Sequence, residues 1–423
     1  MNTLRFKILN NTVNKSISKK LFADFSNLKQ LPADPILGLV AAFNQDSSTN
    51  KVSLSAGTYK DDNNKPYVLR CIQEAQKIYY DKNMDMEYIP IEGISSYVKN
   101  SLKIAYSPDD KNLKEGKLAG IQSLSGTGAL YLGFRFLAEN YNTSKDIYFP
   151  DPTWPNHHGV SALTGLNAKK YRYFDMNTLK LNLNGLLEDL DKANEGSIVL
   201  LHACAHNPTG LDPTHDQWED ILKVIKKKKH IPFFDSAYQG FASGDLDKDA
   251  WSIRRFVEDG QKIFLAQSFA KNFGLYGQRT GCFSMVCNSK EEADIVLSHL
   301  KLIARRCYSS PPKYGAQLVD IVLNNEELFK LWKEDLILMS TRINEMRNAL
   351  YDHLQDLGSK KNWSHIKEQI GMFAYTGLPK DKVLQLRKDE HLYFTDDGRI
   401  SISGLNSKNV RRVAECFHNV TKH

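Results

Sequence analysis

A lysine lies at the end of an apolar run in the segment FLAQSFAKNFGLYGQRTG, residues 264–281. Lys271 has Phe269, Ala270 and Phe273 as close sequence neighbours. A lysine is most often solvated at the protein surface, because burying an ammonium costs free energy. In apolar surroundings, however, the pKa of the side chain falls and its amine can act as a nucleophile. This run alone leaves both interpretations open.

The elements that would position this lysine alternate between strands and helices. Strands are predicted at residues 146–150, 197–204, 231–235, 262–268 and 282–287, with a helix over 214–229. Such alternation predicts an α/β fold with a mostly parallel sheet covered by helices, in which ligands bind beyond the carboxyl ends of the strands. Polar and aromatic side chains follow these ends and are expected to converge there: Trp154, Asn207, Asp235, Tyr238 and Lys271.

A second segment has the composition of an anion site. In SLSGTGAL, residues 123–130, small residues precede an apolar helix. Backbone N–H groups at the start of that helix and the Thr127 hydroxyl can approach a phosphate. Ser268 and Arg279 flank Lys271 and would add a hydroxyl and a bidentate guanidinium. The structural alternatives are an ordinary Ser/Gly-rich loop and, for Arg279, a surface ion pair.

An anion site, a lysine and an acid at a neighbouring strand end together suggest pyridoxal 5'-phosphate. This cofactor is an aldehyde that binds as a lysine Schiff base, with an aspartate as the partner of its pyridinium nitrogen. Asp235 would keep that nitrogen protonated, Tyr238 and Asn207 would bind the phenolate oxygen, and Trp154 would stack on the ring. Taken singly, each of these residues also fits a turn, cap or core role. No metal site is predicted.

Seven segments together resemble the aspartate aminotransferases of the class I, fold-type I family, namely DDNNKPYVL, EYIPIEG, SGTGAL, HACAHNPTG, FFDSAYQGFASGDLDKDAW, SFAKNFGLYGQRTG and GRISISGL. The resemblance runs from DPILGL at residue 34 to the C-terminus, and DPILGLVAAFNQD and HIKEQIGMFAYTGL are closer to the mitochondrial form. It implies a pyridoxal-phosphate-dependent enzyme with a large domain and a smaller α+β domain. The implied reaction is a reversible ping-pong transfer of the amino group of L-aspartate to 2-oxoglutarate, giving oxaloacetate and L-glutamate. The implied assembly is a homodimer whose active sites are shared across the interface.

The resemblance also implies a role for each matching residue. Lys271 would form the Schiff base and then move the proton of the substrate, and Asp235, Tyr238 and Trp154 would assist it. The residues implied in cofactor binding are Ser125, Gly126, Thr127, Trp154, Asn207, Asp235, Tyr238, Ser268, Lys271 and Arg279. Tyr88 of the partner subunit would also reach the cofactor. His157 would support Asp235 from behind, and His202 would join the same network. The residues implied in substrate binding are Gly57, Trp154, Asn207, Arg305 and Arg399.

Substrate choice depends on a second arginine for the distal carboxylate of the substrate. In LIARRCYSSPPKYG the position that matches the family is Arg305, with Arg306 beside it, and Ser310 replaces the usual asparagine. Arg305 favours dicarboxylic substrates. An aminotransferase acting on aromatic amino acids or kynurenine would share the whole cofactor site and remains the alternative enzyme, and a non-catalytic binding protein is the alternative of another class.

The net positive charge of the chain is concentrated in its first twenty residues. The first twenty residues hold five basic residues and no acid, and 51 basic residues face 49 acidic ones in the rest of the chain. A near-neutral body argues against nucleic-acid binding, and no apolar run reaches the length of a membrane span. The N-terminus is typical of a mitochondrial transit peptide, with a disordered Lys/Asn-rich tail as the alternative. We therefore predict the mitochondrial matrix, with the cytoplasm as the alternative location.

The domain boundaries follow from these features. We predict a transit peptide at 1–22, an N-terminal arm and small-domain segment at 23–65, a large cofactor-binding domain at 66–338 and a small C-terminal domain at 339–423. The C-terminal part carries a long helical pattern over 331–357 and short strands at 371–378, 392–395 and 399–404. The six cysteines show no CxxC spacing, which is typical of a reducing compartment.

Overall fold

A computed structural model describes residues 25–31, 34, 36–55 and 57–422 of the 423-residue chain. The predicted transit peptide at 1–22 lies outside the described residues. None of the helices in the described ranges is long and apolar enough to cross a membrane.

The strands that the structure describes are short, and most belong to one sheet. They are β1 Val52–Ser53, β2 Leu118–Leu124, β3 Asp146–Asp151, β4 Asn167–Arg172, β5 Phe174–Asp175, β6 Lys180–Leu181, β7 Ile198–His202, β8 Ile231–Ser236, β9 Phe264–Ser268, β10 Thr280–Val286, β11 Phe373–Tyr375, β12 Leu392–Tyr393 and β13 Arg399–Ser401. The strands predicted from the sequence correspond to β3, β7, β8, β9 and β10 in the large sheet, and to β11, β12 and β13.

The helices of the described chain connect these strands and cover them. They are α1 Leu37–Gln45, α2 Arg70–Asp81, α3 Ser95–Tyr106, α4 Lys111–Lys114, α5 Ser125–Asn140, α6 Asn156–Thr164, α7 Leu183–Lys192, α8 His215–Lys227, α9 Leu246–Asp249, α10 Trp251–Glu258, α11 Lys290–Cys307, α12 Lys313–Leu323, α13 Glu326–Asp356, α14 His365–Glu368, α15 Lys380–Glu390 and α16 Val410–Val420. Short 3-10 turns occupy Tyr276–Gln278 and Ile402–Gly404.

The central sheet has seven strands in the order β2-β10-β9-β8-β7-β3-β4. The five strands β9, β8, β7, β3 and β4 run parallel to one another, which confirms the predicted mostly parallel α/β sheet. β10 is antiparallel to both β9 and β2. The connection from β9 to β10, residues 269–279, contains no crossover helix, and an antiparallel return needs none. β2 and β4 are strands that the sequence analysis missed.

Alternate residues of the central strands point into two apolar layers. In β7, Val199 and Leu201 pack with α7, α8 and α10 on one face, while Ile198 and Leu200 pack with α5 and α11 on the other. This period-2 pattern buries both faces of the sheet, as a parallel sheet requires. The sheet edge at the carboxyl ends of the strands is therefore left to carry the polar side chains.

The helix α8 forms as its sequence predicts. Thr214 accepts a hydrogen bond from the backbone N–H of Gln217, whose side chain accepts one from the Thr214 N–H in return. This capping box fixes the start of the helix. Its buried residues, among them Trp218, Ile221 and Ile225, are those that the helical period places on one face.

The C-terminal part builds a separate small set of strands. β11 pairs with β13 antiparallel, and β12 pairs in parallel with β1 from the start of the chain. α13 and α16 pack over these strands in one apolar cluster. α13 is continuous across the predicted boundary at 338/339, and the division into domains stays a prediction.

Candidate active site

The strand ends of the central sheet surround one cavity of about 230 Å³. The sequence-predicted residues that line it are Gly57, Ser125, Gly126, Thr127, Trp154, His202, Asn207, Asp235, Tyr238, Ser268, Lys271, Arg279 and Arg399. Residues more than 340 positions apart in the sequence thus line the same cavity. Each end of the cavity carries an arginine, and each end is built by a different part of the fold.

Lys271 lies in the loop that follows β9, in the middle of the cavity lining. Its Nζ lies 5.0 Å from the centroid of the Tyr238 ring. No hydrogen bond or ion pair of its side chain is formed with the described residues. Burial lowers the pKa of Lys271, and Arg279 lowers it further, while Asp235 opposes the change. The arrangement therefore makes the ammonium easier to deprotonate, and the free amine is the form that attacks a carbonyl carbon.

Asp235 lies near the end of β8, and its carboxylate is held from behind by a histidine. His157 Nε2 lies 3.0 Å from Asp235 Oδ2, and His157 Nδ1 lies 2.8 Å from Thr153 Oγ1. Burial raises the pKa of Asp235, but the hydrogen bond with His157 and the nearby His157, His202 and Lys271 outweigh it, so the pKa is lowered. Asp235 is consequently an ionised hydrogen-bond acceptor facing the cavity.

The other histidine of this network is neutral. Burial and the proximity of His157 lower the pKa of His202 to about 3. His202 Nε2 lies 3.4 Å from Thr153 Oγ1, which connects it to the His157 network. His157 itself is fully buried and contacts the cavity through Asp235.

One end of the cavity is formed by the start of α5. Ser125 begins this helix with a φ of +59°, and its Oγ lies 2.9 Å from Ser268 Oγ. A Cβ atom at Gly126 would lie 3.1 Å from Ser268 Cβ, so a larger residue here would displace the Ser268 side chain. The Arg279 guanidinium lies beside them and donates from Nη1 to the Tyr276 carbonyl at 3.1 Å. Free backbone N–H groups, hydroxyls and a guanidinium together bind an anion such as phosphate.

The opposite end is formed by Arg399 at the start of β13. Arg399 Nη2 donates to the Ser55 carbonyl at 2.7 Å, and Nη1 donates to Asn207 Oδ1 at 3.3 Å. Its guanidinium lies 4.4 Å from the Phe373 ring centroid, and its Nε is buried without a partner among the described residues. No acidic residue of the described chain forms an ion pair with Arg399. A buried, uncompensated guanidinium is a binding site for a carboxylate.

Two aromatic side chains complete the cavity lining. Trp154 follows β3, and its ring contacts the His157 ring edge-on at 5.3 Å. Tyr238 is buried, and burial raises its pKa, so its hydroxyl stays a neutral donor. Both side chains line the same cavity as Asp235.

Several cavity residues were missed by sequence reasoning. Phe373 lies under Arg399 and close to Gly57, where a Cβ would lie 2.9 Å from Phe373 Cζ. Ile36, Leu130, Ala237 and Ala270 also line the cavity. The run GMFAYTGL predicted that Phe373 is a buried strand residue, but it did not indicate a role in the site. In a sequence, an apolar residue that lines a site cannot be distinguished from one in the hydrophobic core.

Tyr88 and Arg305 do not reach this cavity from their own chain. Tyr88 is 86% exposed. Arg305 lies on the last turn of α11, exposed, with a hydrogen bond to Ser309 Oγ, and the neighbouring Arg306 is exposed as well.

The sequence pattern of the family described as aminotransferase class I and II matches residues 49–417. The mitochondrial aspartate aminotransferase of Gallus gallus is 44% identical over 398 residues, which cover 94% of this chain and 94% of that protein.

Solved structures match over a similar share of the chain. The cytoplasmic aspartate aminotransferase of Saccharomyces cerevisiae has a TM-score of 0.92 and 43% identity, covering 94% of this chain and 98% of that one. An aromatic-amino-acid aminotransferase of Burkholderia pseudomallei covalently bound to pyridoxal phosphate has a TM-score of 0.92 and 38% identity, covering 95% and 100%.

Proposed function

The chain belongs to the class I and II aminotransferases, and from this premise we propose that it transfers the amino group of L-aspartate to 2-oxoglutarate, giving oxaloacetate and L-glutamate. The reaction is reversible and of the ping-pong type, with pyridoxal 5'-phosphate as cofactor. The observation that carries the proposal is one cavity that brings together an amine with lowered pKa, an ionised carboxylate and a buried arginine that has no acidic partner among the described residues.

The cavity fits this cofactor in the chemistry of its donors. Ser125, Gly126, Thr127, Ser268 and Arg279 form an anion site of the kind that a phosphate group needs. Asp235 would accept the pyridinium N–H, and Tyr238 and Asn207 would donate to the phenolate oxygen. When bound, pyridoxal phosphate supplies an electrophilic aldehyde carbon and an electron-withdrawing ring.

The roles of the protein side chains follow from their charges. Lys271 Nζ, with its lowered pKa, would accept the proton from the substrate Cα and deliver it to the former aldehyde carbon of the cofactor. His157 keeps Asp235 oriented through the 3.0 Å contact, so that the carboxylate stays ionised. Trp154 fixes the plane of whatever ring lies against it.

The substrate is held by its carboxylates. Arg399, together with Asn207, binds the α-carboxylate, since its guanidinium faces the cavity with donors to spare. The distal carboxylate is assigned to Arg305 of the partner subunit, and Tyr88 of the partner subunit would reach the phosphate. Gly57 closes the substrate side of the cavity.

A homodimer is proposed because two of these residues lie outside their own cavity. Tyr80, Met86 and Tyr88 are 67%, 78% and 86% exposed, and they lie on α2 and in the loop that follows it. The 3.0 Å ion pair of Lys301 with Glu92 joins this loop to α11, which carries the exposed Ile295 and Leu302. A second chain packed on this face would bury these exposed apolar residues.

The proposed location is the mitochondrial matrix, supported by the basic, acid-free N-terminus and by the mitochondrial relative. The cytoplasm is the alternative, since a cytoplasmic aspartate aminotransferase also matches in structure. The proposed domains are those predicted from the sequence, with the cavity between the large domain and the C-terminal strands that carry Arg399.

The proposal is tested by one half-reaction. L-Aspartate alone is added to purified holoenzyme, and the absorption of the bound cofactor is followed. We expect conversion to the amino form of the cofactor, and reversal when 2-oxoglutarate is added. A holoenzyme whose absorption does not respond to aspartate would contradict the proposed substrate, and a protein that takes up no pyridoxal phosphate would contradict the cofactor.

The second candidate is an aromatic-amino-acid aminotransferase, favoured by the match to the Burkholderia pseudomallei enzyme. Both activities would use the same Lys271 and Arg399. They differ in the distal group of the substrate, so a response to phenylalanine or kynurenine in the absence of any response to aspartate would identify the second candidate.

A further inference from the structure

Tyr276, a tyrosine beside the cavity, makes a contact that has no role in the reaction proposed above. Tyr276 lies in the 3-10 turn between Lys271 and Arg279. Its hydroxyl oxygen accepts a hydrogen bond from the backbone N–H of Tyr59 at 2.8 Å. Burial raises the pKa of Tyr276 to about 12, so the hydroxyl is neutral. The loop that carries the reactive lysine is thus joined to a segment 217 residues earlier in the chain.

The joined segment forms the substrate side of the cavity. Within residues 57–59, called here the 57–59 segment, Gly57 lines the cavity against Phe373. Just before it, the Ser55 carbonyl accepts the 2.7 Å hydrogen bond from Arg399 Nη2. The backbone on the two sides of Gly57 is therefore held by Arg399 at one end and by Tyr276 at the other.

The other contacts of the 57–59 segment lead away from the lysine loop. Ser403 Oγ donates to the Thr58 carbonyl at 2.9 Å, which ties the segment to the C-terminal part of the chain. The Tyr59 ring packs against Tyr67 and lies under the Arg342 guanidinium at 5.4 Å. Among the described residues, the Tyr276 hydroxyl is the hydrogen-bond partner that joins this segment to the lysine loop.

We propose that Tyr276 is a positioning residue for substrate binding, whose hydroxyl holds the Tyr59 N–H and keeps Gly57 and the Ser55 carbonyl in place for a carboxylate at Arg399. This inference rests on the proposed aminotransferase function and deepens it. Without the hydroxyl, the Tyr59 N–H has lost its acceptor, and the segment gains freedom that the substrate must remove on binding. The guanidinium of Arg399 then loses a fixed neighbour, although its own charge is unchanged.

The test compares Tyr276→Phe with Tyr67→Phe in the holoenzyme. Both variants remove one phenolic hydroxyl from a ring near Tyr59. The Tyr67 hydroxyl contacts Asp335 at 3.3 Å instead of the 57–59 segment, which makes it a matched control. Three quantities are measured: the dissociation constant of succinate (a non-reacting dicarboxylate) from the shift in cofactor absorption, KM and kcat for aspartate, and amide hydrogen exchange in peptides covering residues 57–62.

In Tyr276→Phe we expect the succinate dissociation constant and the KM for aspartate to rise about 3- to 10-fold, as for the loss of one neutral hydrogen bond. The hydrogen exchange of the Tyr59 amide should rise by a similar factor, while cofactor retention and melting temperature stay close to wild type. Tyr67→Phe should leave succinate binding and exchange at residues 57–62 unchanged.

The proposal is overturned if exchange at residues 57–62 and succinate binding are the same in Tyr276→Phe and wild type, or if both variants change them equally. Hydrogen exchange does not depend on turnover. A wild-type protein that fails to transaminate aspartate would therefore refute the proposed function, whereas unchanged exchange in Tyr276→Phe would refute the positioning role alone.

Discussion

The Arg399 guanidinium offers the sharpest test of how the substrate is held. Its contacts with the Ser55 carbonyl and Asn207 Oδ1 use one N–H on each terminal nitrogen. The Nε–H, which is buried and has no partner in the described part of the chain, and the second N–H on each terminal nitrogen remain for a carboxylate. Two parallel charge-assisted hydrogen bonds to the substrate are therefore available.

Arg399→Lys keeps the positive charge and removes this geometry. An ammonium that preserves the contacts with Ser55 and Asn207 has a single N–H left for the substrate. The loss is one charge-assisted hydrogen bond, about 1.5–3 kcal/mol. That corresponds to a fall in kcat/KM of about 10- to 150-fold.

The assay is the half-reaction of the loaded enzyme with several amino acids. Every amino acid has an α-carboxylate, so the fall should be similar for aspartate, glutamate, alanine and phenylalanine. The control is cofactor retention, which should not change, because the anion site at the start of α5 lies at the other end of the cavity. A fall confined to aspartate and glutamate would refute the reasoning, since it would place Arg399 at the distal carboxylate.

Three further predictions concern other parts of the molecule. Lys271→Ala should abolish aspartate turnover while leaving the far-ultraviolet circular dichroism and the melting temperature near wild type, because the amine forms no hydrogen bond or ion pair with the described residues that folding would lose. Arg305→Ala should lower kcat/KM for aspartate by about 10-fold or more while changing alanine little, as expected for a lost ionic contact to the distal carboxylate. Burial raises the pKa of the Asp212 carboxyl to about 6; the folded state then holds this proton over a pH range in which the unfolded chain has released it. Relative to Asp212→Asn, wild type should therefore lose stability as the pH rises from about 4 to 6, measured by urea unfolding at several pH values.

Each of these has an outcome that contradicts it. Measurable transamination by Lys271→Ala would remove this lysine from the chemistry. Equal losses on aspartate and alanine in Arg305→Ala would show a structural effect instead of substrate recognition. A stability difference between wild type and Asp212→Asn that does not change between pH 4 and 6 would mean that the carboxyl is not protonated in the folded state.

The polar part of the cavity could be predicted because it uses residue types with distinctive spacing. Asp235 and Lys271 follow neighbouring parallel strands, and the register pairs Asp235 with Ala266 of β9, five residues before the lysine. Strand ends in register must meet at one edge, so a pattern of strands was enough to bring the two residues together.

The apolar and backbone parts of the site could not be predicted. Phe373 has the sequence signal of any buried strand residue, and its contact with Arg399 depends on the packing of β11 beside β13. The contact of Tyr276 with Tyr59 uses a backbone N–H, which every residue except proline carries. The antiparallel direction of β10 depends on the path of one loop, which strand periodicity does not encode.

The pairing of β1 with β12 and the bond from Arg399 to Ser55 have a consequence for biosynthesis. The partners of the second contact lie 344 residues apart. At a synthesis rate of about 5–20 residues per second, the N-terminal segment waits about 20–70 s before its partner leaves the ribosome. Over that interval Val52 and Ser53 have no strand to pair with, and the carboxylate end of the cavity does not exist. Substrate binding therefore requires that synthesis has passed Arg399, whereas the anion site at Ser125 requires only that Ser268 and Arg279 have been synthesised.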